Sequence, residues 1–483
     1  MNPYLIAGIV IGYFCLLILI SHITSRKATN DTFFTGNRRS PWFVVAYGMI
    51  GASLSGVTFM SVPGYVQTTQ FTYFGVVIGY LFGYLAIAFV LLPLYYKLNL
   101  TSIYTYLGNR FGLNSQKTGA SFFIISRLLG SALRMYLVVY ILYEFIFKFI
   151  GVPFWTLALC FIVLILIYTF KGGIKTVIWT DTLQTTFMLL STIVTIVCLL
   201  KEMDISLFDM LKQASDAGYT KLYESDWRSN NFFWKQVLSG AFITIAMTGL
   251  DQDMMQKNLT CKSLRSAQKN MLSFSLSLIV VNFLFLALGV ALLFYANQTG
   301  FALPEKSDSI FPAVAFHMNS LTCIVFVIGL VAAGYSSADG TLTSLTTTFC
   351  FDILHFDTDT KHTEEQKMKI RKIIHIAFAV IYFAIIIIFK PFHNDSLIKT
   401  LFDIAGYTYG PLLGLFCYGL FVKNRRPNDK AVPFVAILSP IICYILNMYS
   451  EQLFFGYKFG FELLILNGLL TFIGLLAFNK KTA

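Results

Sequence analysis

The chain has 483 residues, of which 56% are apolar and only 12% charged, with eight cysteines and a formal net charge of +12. A soluble domain carries about 25% charged residues, so this composition, with a mean hydropathy of +0.69, excludes a water-soluble globular domain. The cysteines are scattered, mostly inside apolar runs and without the paired spacing of a metal site or a secreted disulfide framework, and are read as small core residues.

Apolar runs of about 20 residues recur along the chain, and in hydrocarbon each must satisfy its own backbone polar groups, so each is predicted to be a helix. The first, Tyr4 to Ser21, lacks a basic leader and a small-residue cleavage site and is followed by Arg26 and Lys27; it is expected to be a retained helix and not a signal peptide. In chain order the spans are placed at 4–23, 42–66, 72–96, 120–147, 153–170, 176–200, 234–256, 271–296, 310–350, 373–390, 398–422, 431–449 and 459–478, which makes about thirteen.

The connections alternate in charge. One set carries Arg26, Lys27, Arg38 and Arg39, then Lys97, Arg110 and Lys117, then Lys171 and Lys175, then Lys257, Lys262, Arg265 and Lys269, and finally the stretches Lys361 to Lys372, Lys423 to Lys430, and Lys480 with Lys481. The intervening loops are poor in basic residues, and the long one from Asp204 to Asp226 is rich in acids. Excess Lys and Arg marks the cytoplasmic side, which puts the N-terminus outside and the C-terminus inside. Topology then accounts for the positive charge, and no nucleic-acid partner is expected.

Spans two to six and spans seven to eleven each form an odd-numbered set, so the second set must sit inverted relative to the first. Inverted repeats of this kind place a binding site at the midplane, where the first helix of each repeat is broken. Both candidate helices hold breakers: Gly48, Gly51, Gly56, Pro63 and Gly64 in one, Gly240 and Gly249 in the other. The chain divides accordingly into an extra N-terminal helix and loop (1–41), a first repeat (42–200), an extracellular loop (201–233), a second repeat (234–422), and two further helices with a short tail (423–483).

Several residues stand out within these spans. "GASLSGVTFMSVPG", Gly51 to Gly64, places small and hydroxyl residues mid-membrane; unwinding there frees carbonyls for a cation, while the same residues also serve close helix packing. "AAGYSSADGTLTSLTTT", Ala332 to Thr348, joins Ser336 and Ser337 to Asp339. Hydroxyls and carbonyls suit a hard cation such as Na⁺, or the hydroxyls bond back along their own helix. An ionisable group at membrane depth, such as Asp339, is a functional candidate by default. Asp181 is a second, or an interfacial carboxylate beside Lys175; Asp251 and Asp253 lie near the cytoplasmic end of their helix, with Asp251 nearer the Gly249 break. Arg127 and Arg134 share a helix face. Arg127 is placed to snorkel, whereas Arg134 needs an anion, either a substrate carboxylate or Asp339, Asp181 or Glu144. Tyr73, Tyr335, Tyr407 and Tyr409 neighbour the breaker segments and are candidates for stacking over a substrate. No Walker loop, zincin or nucleophile elbow is present, so an enzyme or an ATP-driven pump is not expected.

The segments "GGIKTVIWTDTLQ" (172–184), "AAGYSS", "DMMQKNLTCKSLRSAQK" and "GPLLGLFCYGLFVK" (410–423) resemble the sodium:solute symporter family, over nearly the whole chain. The resemblance implies an all-α, leucine-transporter-like inverted repeat in a cell (inner or plasma) membrane, functioning as a monomer, that couples Na⁺ to import of a small polar solute: a sugar, sugar acid, carboxylate or amino acid. It implies a principal Na⁺ site of Gly51, Leu54, Ala333, Ser336 and Ser337. Some members have a second cation site; here Asp181 is kept, but the following hydroxyl positions read Asp339 and Gly340. Asp339 either replaces a hydroxyl as a stronger ligand or binds a proton or a cationic substrate.

Ser55 and Thr58 match a substrate-binding pair of sialic acid carriers, whose carboxylate-binding Arg falls near Gly130 and whose substrate-contacting Gln falls near Val77, so the resemblance does not extend to sialic acid itself. The substrate candidates are Ser55, Thr58, Tyr73, Arg134, Asp251, Gln252 and Tyr407. Alternatives of other classes are a proton-coupled or passive carrier, and a membrane sensor, which would carry a catalytic domain after the last span where this sequence has only a short tail.

Overall fold

A computed structural model describes residues 3–26, 28–390 and 397–481. Lys27, used above for orientation, lies outside the described residues, as do the side chains of Lys480 and Lys481. The principal helices are α1 (Pro3–Thr24), α2 (Trp42–Thr69), α3 (Phe74–Lys97), α4 (Leu113–Phe145), α5 (Phe154–Gly172), α6 (Ile174–Glu202), α7 (Phe233–Thr244), α8 (Gln252–Leu259), α9 (Leu264–Thr299), α10 (Ser307–His317), α11 (Ser320–Ile353), α12 (Glu364–Phe389), α13 (Leu397–Phe421), α14 (Val432–Met448) and α15 (Leu463–Ala477). Ten helices among the described residues are long and apolar enough to cross a membrane, and α14 and α15 are shorter apolar helices. α7 continues through a π turn, Ile245–Gly249, and stops before α8 begins. The one sheet among the described residues is a small ribbon in which Arg425–Pro427 pairs antiparallel with Asn479–Lys481.

Each predicted span falls on helix, with one correction. The run placed at 310–350 is two elements, α10 and α11, because Asn319 caps a fresh helix start: its side chain accepts from the backbone of Thr322 at 3.0 Å. The polar interruption, His317 to Ser320, is only about one helical turn long, so a window of about 20 residues averages it away.

The inverted repeat appears in how helices pair. α2 packs along α9 as α7 packs along α3, and α6 packs along α11 as α13 packs along α4. These pairs exchange when the first helix of one five-helix set is matched to the first of the other, the second to the second, and so on, as a two-fold relation between sets requires. Apolar side chains such as Phe89, Trp155, Val280 and Val380 point outward, where lipid covers them. The interior is polar at its centre: α11 buries Ser336, Ser337, Asp339, Thr341, Thr343 and Ser344 against α2, α4 and α6. Polar groups at that depth need partners or a ligand, and this is where the site lies.

Candidate functional site

α2 is interrupted at Ser55, whose backbone takes φ 45°, ψ 171°. In a helix each carbonyl is satisfied by the amide four residues on, so the turn before a break loses its acceptor bonds. The carbonyl of Gly51, in the turn before this break, accepts from Ser336 Oγ at 2.9 Å, and that hydroxyl also lies 3.1 Å from the carbonyl of Ala333. Three of the predicted Na⁺ ligands thus converge between α2 and α11. Leu54 sits on the rim of the break, and Ser337 follows Ser336 on the same buried turn. Neutral hydroxyl and carbonyl oxygens are the donors a hard cation takes. Gly51 is required sterically, because its amide donates to Thr185 Oγ1 on α6 at 3.0 Å and a Cβ would sit 2.5 Å from that oxygen.

Beside this break is a cavity bounded by Ser53, Leu54, Thr58, Tyr73, Tyr80, Tyr84, Arg127, Arg134, Thr248 and Phe402. Tyr73 and Tyr80 hold each other through their hydroxyls at 3.2 Å. Tyr73 also borders a wider cavity with Thr68, Asn230, Gln236, Lys306 and Asp403. Neighbouring α13 residues face opposite ways, Phe402 inward and Asp403 outward. Tyr73 and Phe402 therefore partition an inner chamber from a vestibule on the side of the 201–233 loop. Ser55 Oγ is buried without a hydrogen bond among the described residues.

Arg134 is buried at 6% exposure, donates to Ser337 Oγ at 3.3 Å, and leaves its Nε without a partner among the described residues. None of the internal acids considered from sequence neutralises it: Glu144 pairs with Lys148, Asp181 with Lys257, and Asp339 accepts from Tyr168 and Thr180 at 3.0 and 3.2 Å. Among the described residues no ion pair includes it.

Arg127 corrects the sequence reading. It is 4% exposed and does not snorkel; its guanidinium donates to Asp253 and lies 3.5 Å from Asp251. Lys257, taken above as a cytoplasmic loop charge, is 1% exposed and reaches Asp181 at 2.9 Å and Asp253 at 3.5 Å. The positive-inside pattern counts such a residue as a surface cation because sequence cannot tell which helix turns inward. A chain of buried ion pairs therefore runs under the cavity from α4 through α8 to α6, and Asp181 answers Lys257 and not the interfacial Lys175.

The second break is built differently. After the π turn, the carbonyls of Gly249 and Leu250 each accept from a buried tyrosine, Tyr95 and Tyr104, at 2.8 Å. Asp251 is the N-cap of α8, accepting from Met254 N at 3.1 Å, and also accepts from Tyr409 at 2.5 Å. Two substrate candidates do not reach the chamber. Gln252 is spent on the 101–103 turn, donating to the Thr101 carbonyl and accepting from Ile103 N. Tyr407 faces α14, where Asn447 donates to its hydroxyl at 2.9 Å. Asp251, although beside the chamber, is fully engaged. Sequence reasoning overlooked Tyr80, Tyr84 and Phe402, which look like ordinary lipid-facing aromatics in a chain with 48 Phe and 26 Tyr.

A family model for the sodium:solute symporter family matches residues 33–430. The chain belongs to that family. It is similar to the sodium/sialic acid symporter SiaT of Proteus mirabilis, 27% identical over 93% of this chain and 91% of that one, and to the sodium/sialic acid symporter NanT of Aliivibrio fischeri, 26% identical over 93% and 89%. A solved structure of a Na⁺-coupled sialic acid symporter in a substrate-bound, outward-open state superposes with a TM-score of 0.83 at 24% identity, covering 97% of this chain and 96% of that one. The nucleobase-cation-symport transporter Mhp1 superposes at 0.55 over 92% of each chain, so the leucine-transporter-like fold holds. This symporter is a multi-pass membrane protein that couples sodium to movement of a small solute across the bilayer, and is not an enzyme.

Proposed function

We propose that this symporter imports a small polar solute bearing an anionic group, with Na⁺ held by the carbonyls of Gly51, Leu54 and Ala333 and the hydroxyls of Ser336 and Ser337, and the solute held by Arg134, Thr58, Ser55 and Tyr73. The observation that carries the solute class is Arg134, a buried cation lining the chamber with no ion pair among the described residues. A desolvated guanidinium is costly unless neutralised, and a carboxylate answers it with two parallel hydrogen bonds. The two sialic acid carriers named above act on a carboxylated sugar, which agrees in class; Val77 in place of a polar contact argues for a solute with different neutral substituents. Asp181 and Asp339 stay candidates for a second cation, with Lys257 as their neighbour.

The cycle is alternating access. Na⁺ favours the form in which the chamber is complete, and its release to the cytoplasm lets the solute follow; this coupling is a difference in affinity between states and is reciprocal. The N-terminus lies outside and the C-terminus inside, across thirteen crossings arranged as 1–41, 42–200, 201–233, 234–422 and 423–483, and the monomer is the working unit, without a nucleic-acid partner. The test is uptake by proteoliposomes of a panel of labelled sugar acids, monocarboxylates, amino acids and neutral sugars under an inward Na⁺ gradient. Accumulation of an acid, abolished by collapsing the gradient and by Arg134→Gln, is expected. Accumulation of a neutral sugar that is indifferent to Arg134→Gln overturns the solute class, and uptake indifferent to Na⁺ overturns the coupling.

A further inference from the structure

We infer that Arg134 is the residue through which the solute controls Na⁺ binding, by competing with the ion at Ser337 until an anion draws it away. The inference rests on the ion site proposed above and adds a route of coupling to it. A serine oxygen has two lone pairs and one proton. In this structure Ser337 Oγ accepts from Arg134 Nη1 at 3.3 Å, at 1% exposure. The same guanidinium lines the chamber and has a further buried donor, Nε, with no partner among the described residues. One group therefore touches both ligand positions, a hydroxyl of the ion site on one side and the solute chamber on the other.

With no solute, the guanidinium puts a full positive charge beside an oxygen that must coordinate Na⁺ and occupies one of its lone pairs. Like charges in a desolvated site repel strongly. The site is thereby weakened for Na⁺, while Ser336, bonded only to the neutral carbonyls of Gly51 and Ala333, is not. An anion bound in the chamber neutralises the guanidinium and competes for its donors, so Ser337 is released to the ion. Linkage makes the effect mutual, and Na⁺ at Ser337 turns Arg134 toward the chamber and strengthens anion binding by the same factor. The intervening contact is a single hydrogen bond, so no movement of a helix is needed to carry the signal.

The test uses Na⁺ alone as probe, on the purified full chain, titrated at constant ionic strength against choline and read by intrinsic tryptophan fluorescence or thermal shift. Removing the competing charge with Arg134→Gln is expected to tighten solute-free Na⁺ binding by about fivefold or more, within the usual range of coupling between sites. Arg134→Met provides a second neutral variant with the same expectation should the first not fold. Arg134→Lys, which keeps the charge on a shorter reach, is expected to fall between. A residue serving only structure would leave Na⁺ affinity unchanged or weaken it; that result in both neutral variants, with Na⁺ binding weakened by Ser336→Ala, overturns the inference while the ion site stands. Na⁺ affinity unchanged by Ser336→Ala together with Ser337→Ala overturns the ion site itself.

Discussion

At the break in α2, the carbonyl of Gly51 is met by a serine hydroxyl that can rotate away, whereas after α7 the freed carbonyls of Gly249 and Leu250 are met by the buried phenols of Tyr95 and Tyr104. Both interruptions raise the same electrostatic difficulty, unpaired carbonyls in a medium that cannot solvate them. The first is solved reversibly, by small residues on α2 and α11 that leave room for a cation. The second is solved permanently, by large side chains and by Asp251, which caps α8 and is held by Arg127 and Tyr409. Two topologically equivalent positions thus take different forms: one is the ion site proposed above, the other a wall of the chamber.

The largest effect expected from this contrast is on the wall. Arg127→Ala leaves Asp251 buried without its cation and Asp253 with Lys257 alone, and truncating one member of a buried ion pair costs about 3–5 kcal/mol. The variant is expected to melt far below the parent in detergent, and unchanged melting would show that the second break is not held by charge. At the first break the response should be functional. Replacing Ser336 and Ser337 together with Ala removes two oxygens from the ion site but no ion pair. A roughly tenfold rise in the Na⁺ needed for half-maximal uptake is expected, equivalent to about 1.4 kcal/mol, with insertion preserved; unchanged Na⁺ dependence would remove the ion from this break.

How far the sequence foretells this difference depends on the residue. Helices, the odd-numbered repeats and the Ser336–Ser337 pair are legible because apolar length, charge alternation and the "AAGYSS" segment are local. The plugging of the second break is not, because Tyr95 and Tyr104 come from about 150 positions away and nothing near Gly249 announces them. Lys257 and Arg127 were misread for a related reason: at the ends of apolar runs a cation that snorkels and a cation that pairs inward look alike until the acids facing it, Asp181, Asp251 and Asp253, are placed on neighbouring helices. Gln252 and Tyr407 were candidates by proximity in the chain, and helical geometry turns both away from the chamber. The partner of Arg134 was the reverse case, since the plausible internal acids all proved to be taken.

A smaller effect separates the breaks by a single oxygen. Tyr104→Phe deprives the Leu250 carbonyl of its donor at nearly constant volume and is expected to cost about 1 kcal/mol, lowering the melting temperature modestly without moving the Na⁺ dependence of transport. A shift in Na⁺ dependence comparable with that of the serine pair would mean that the second break also serves the ion.

The smallest expected effect concerns the backbone at the first break. Ser55 holds φ 45° and ψ 171°, a region that side chains other than glycine enter at a cost of order 1 kcal/mol or more. Its hydroxyl gains no hydrogen bond among the described residues in return, so the strain is tolerated for what the break exposes and for the solute contact proposed for Ser55. Ser55→Gly relaxes the strained conformation but also gives the unfolded chain more freedom to lose. A net stabilisation of at most about 1 kcal/mol follows, read as a slightly higher melting temperature. Solute affinity should fall at the same time while Na⁺ binding measured without solute stays the same, since the substitution removes none of the oxygens assigned to the ion. A fall in stability instead would mean that the serine side chain, and not the freed carbonyls, is what keeps α2 open.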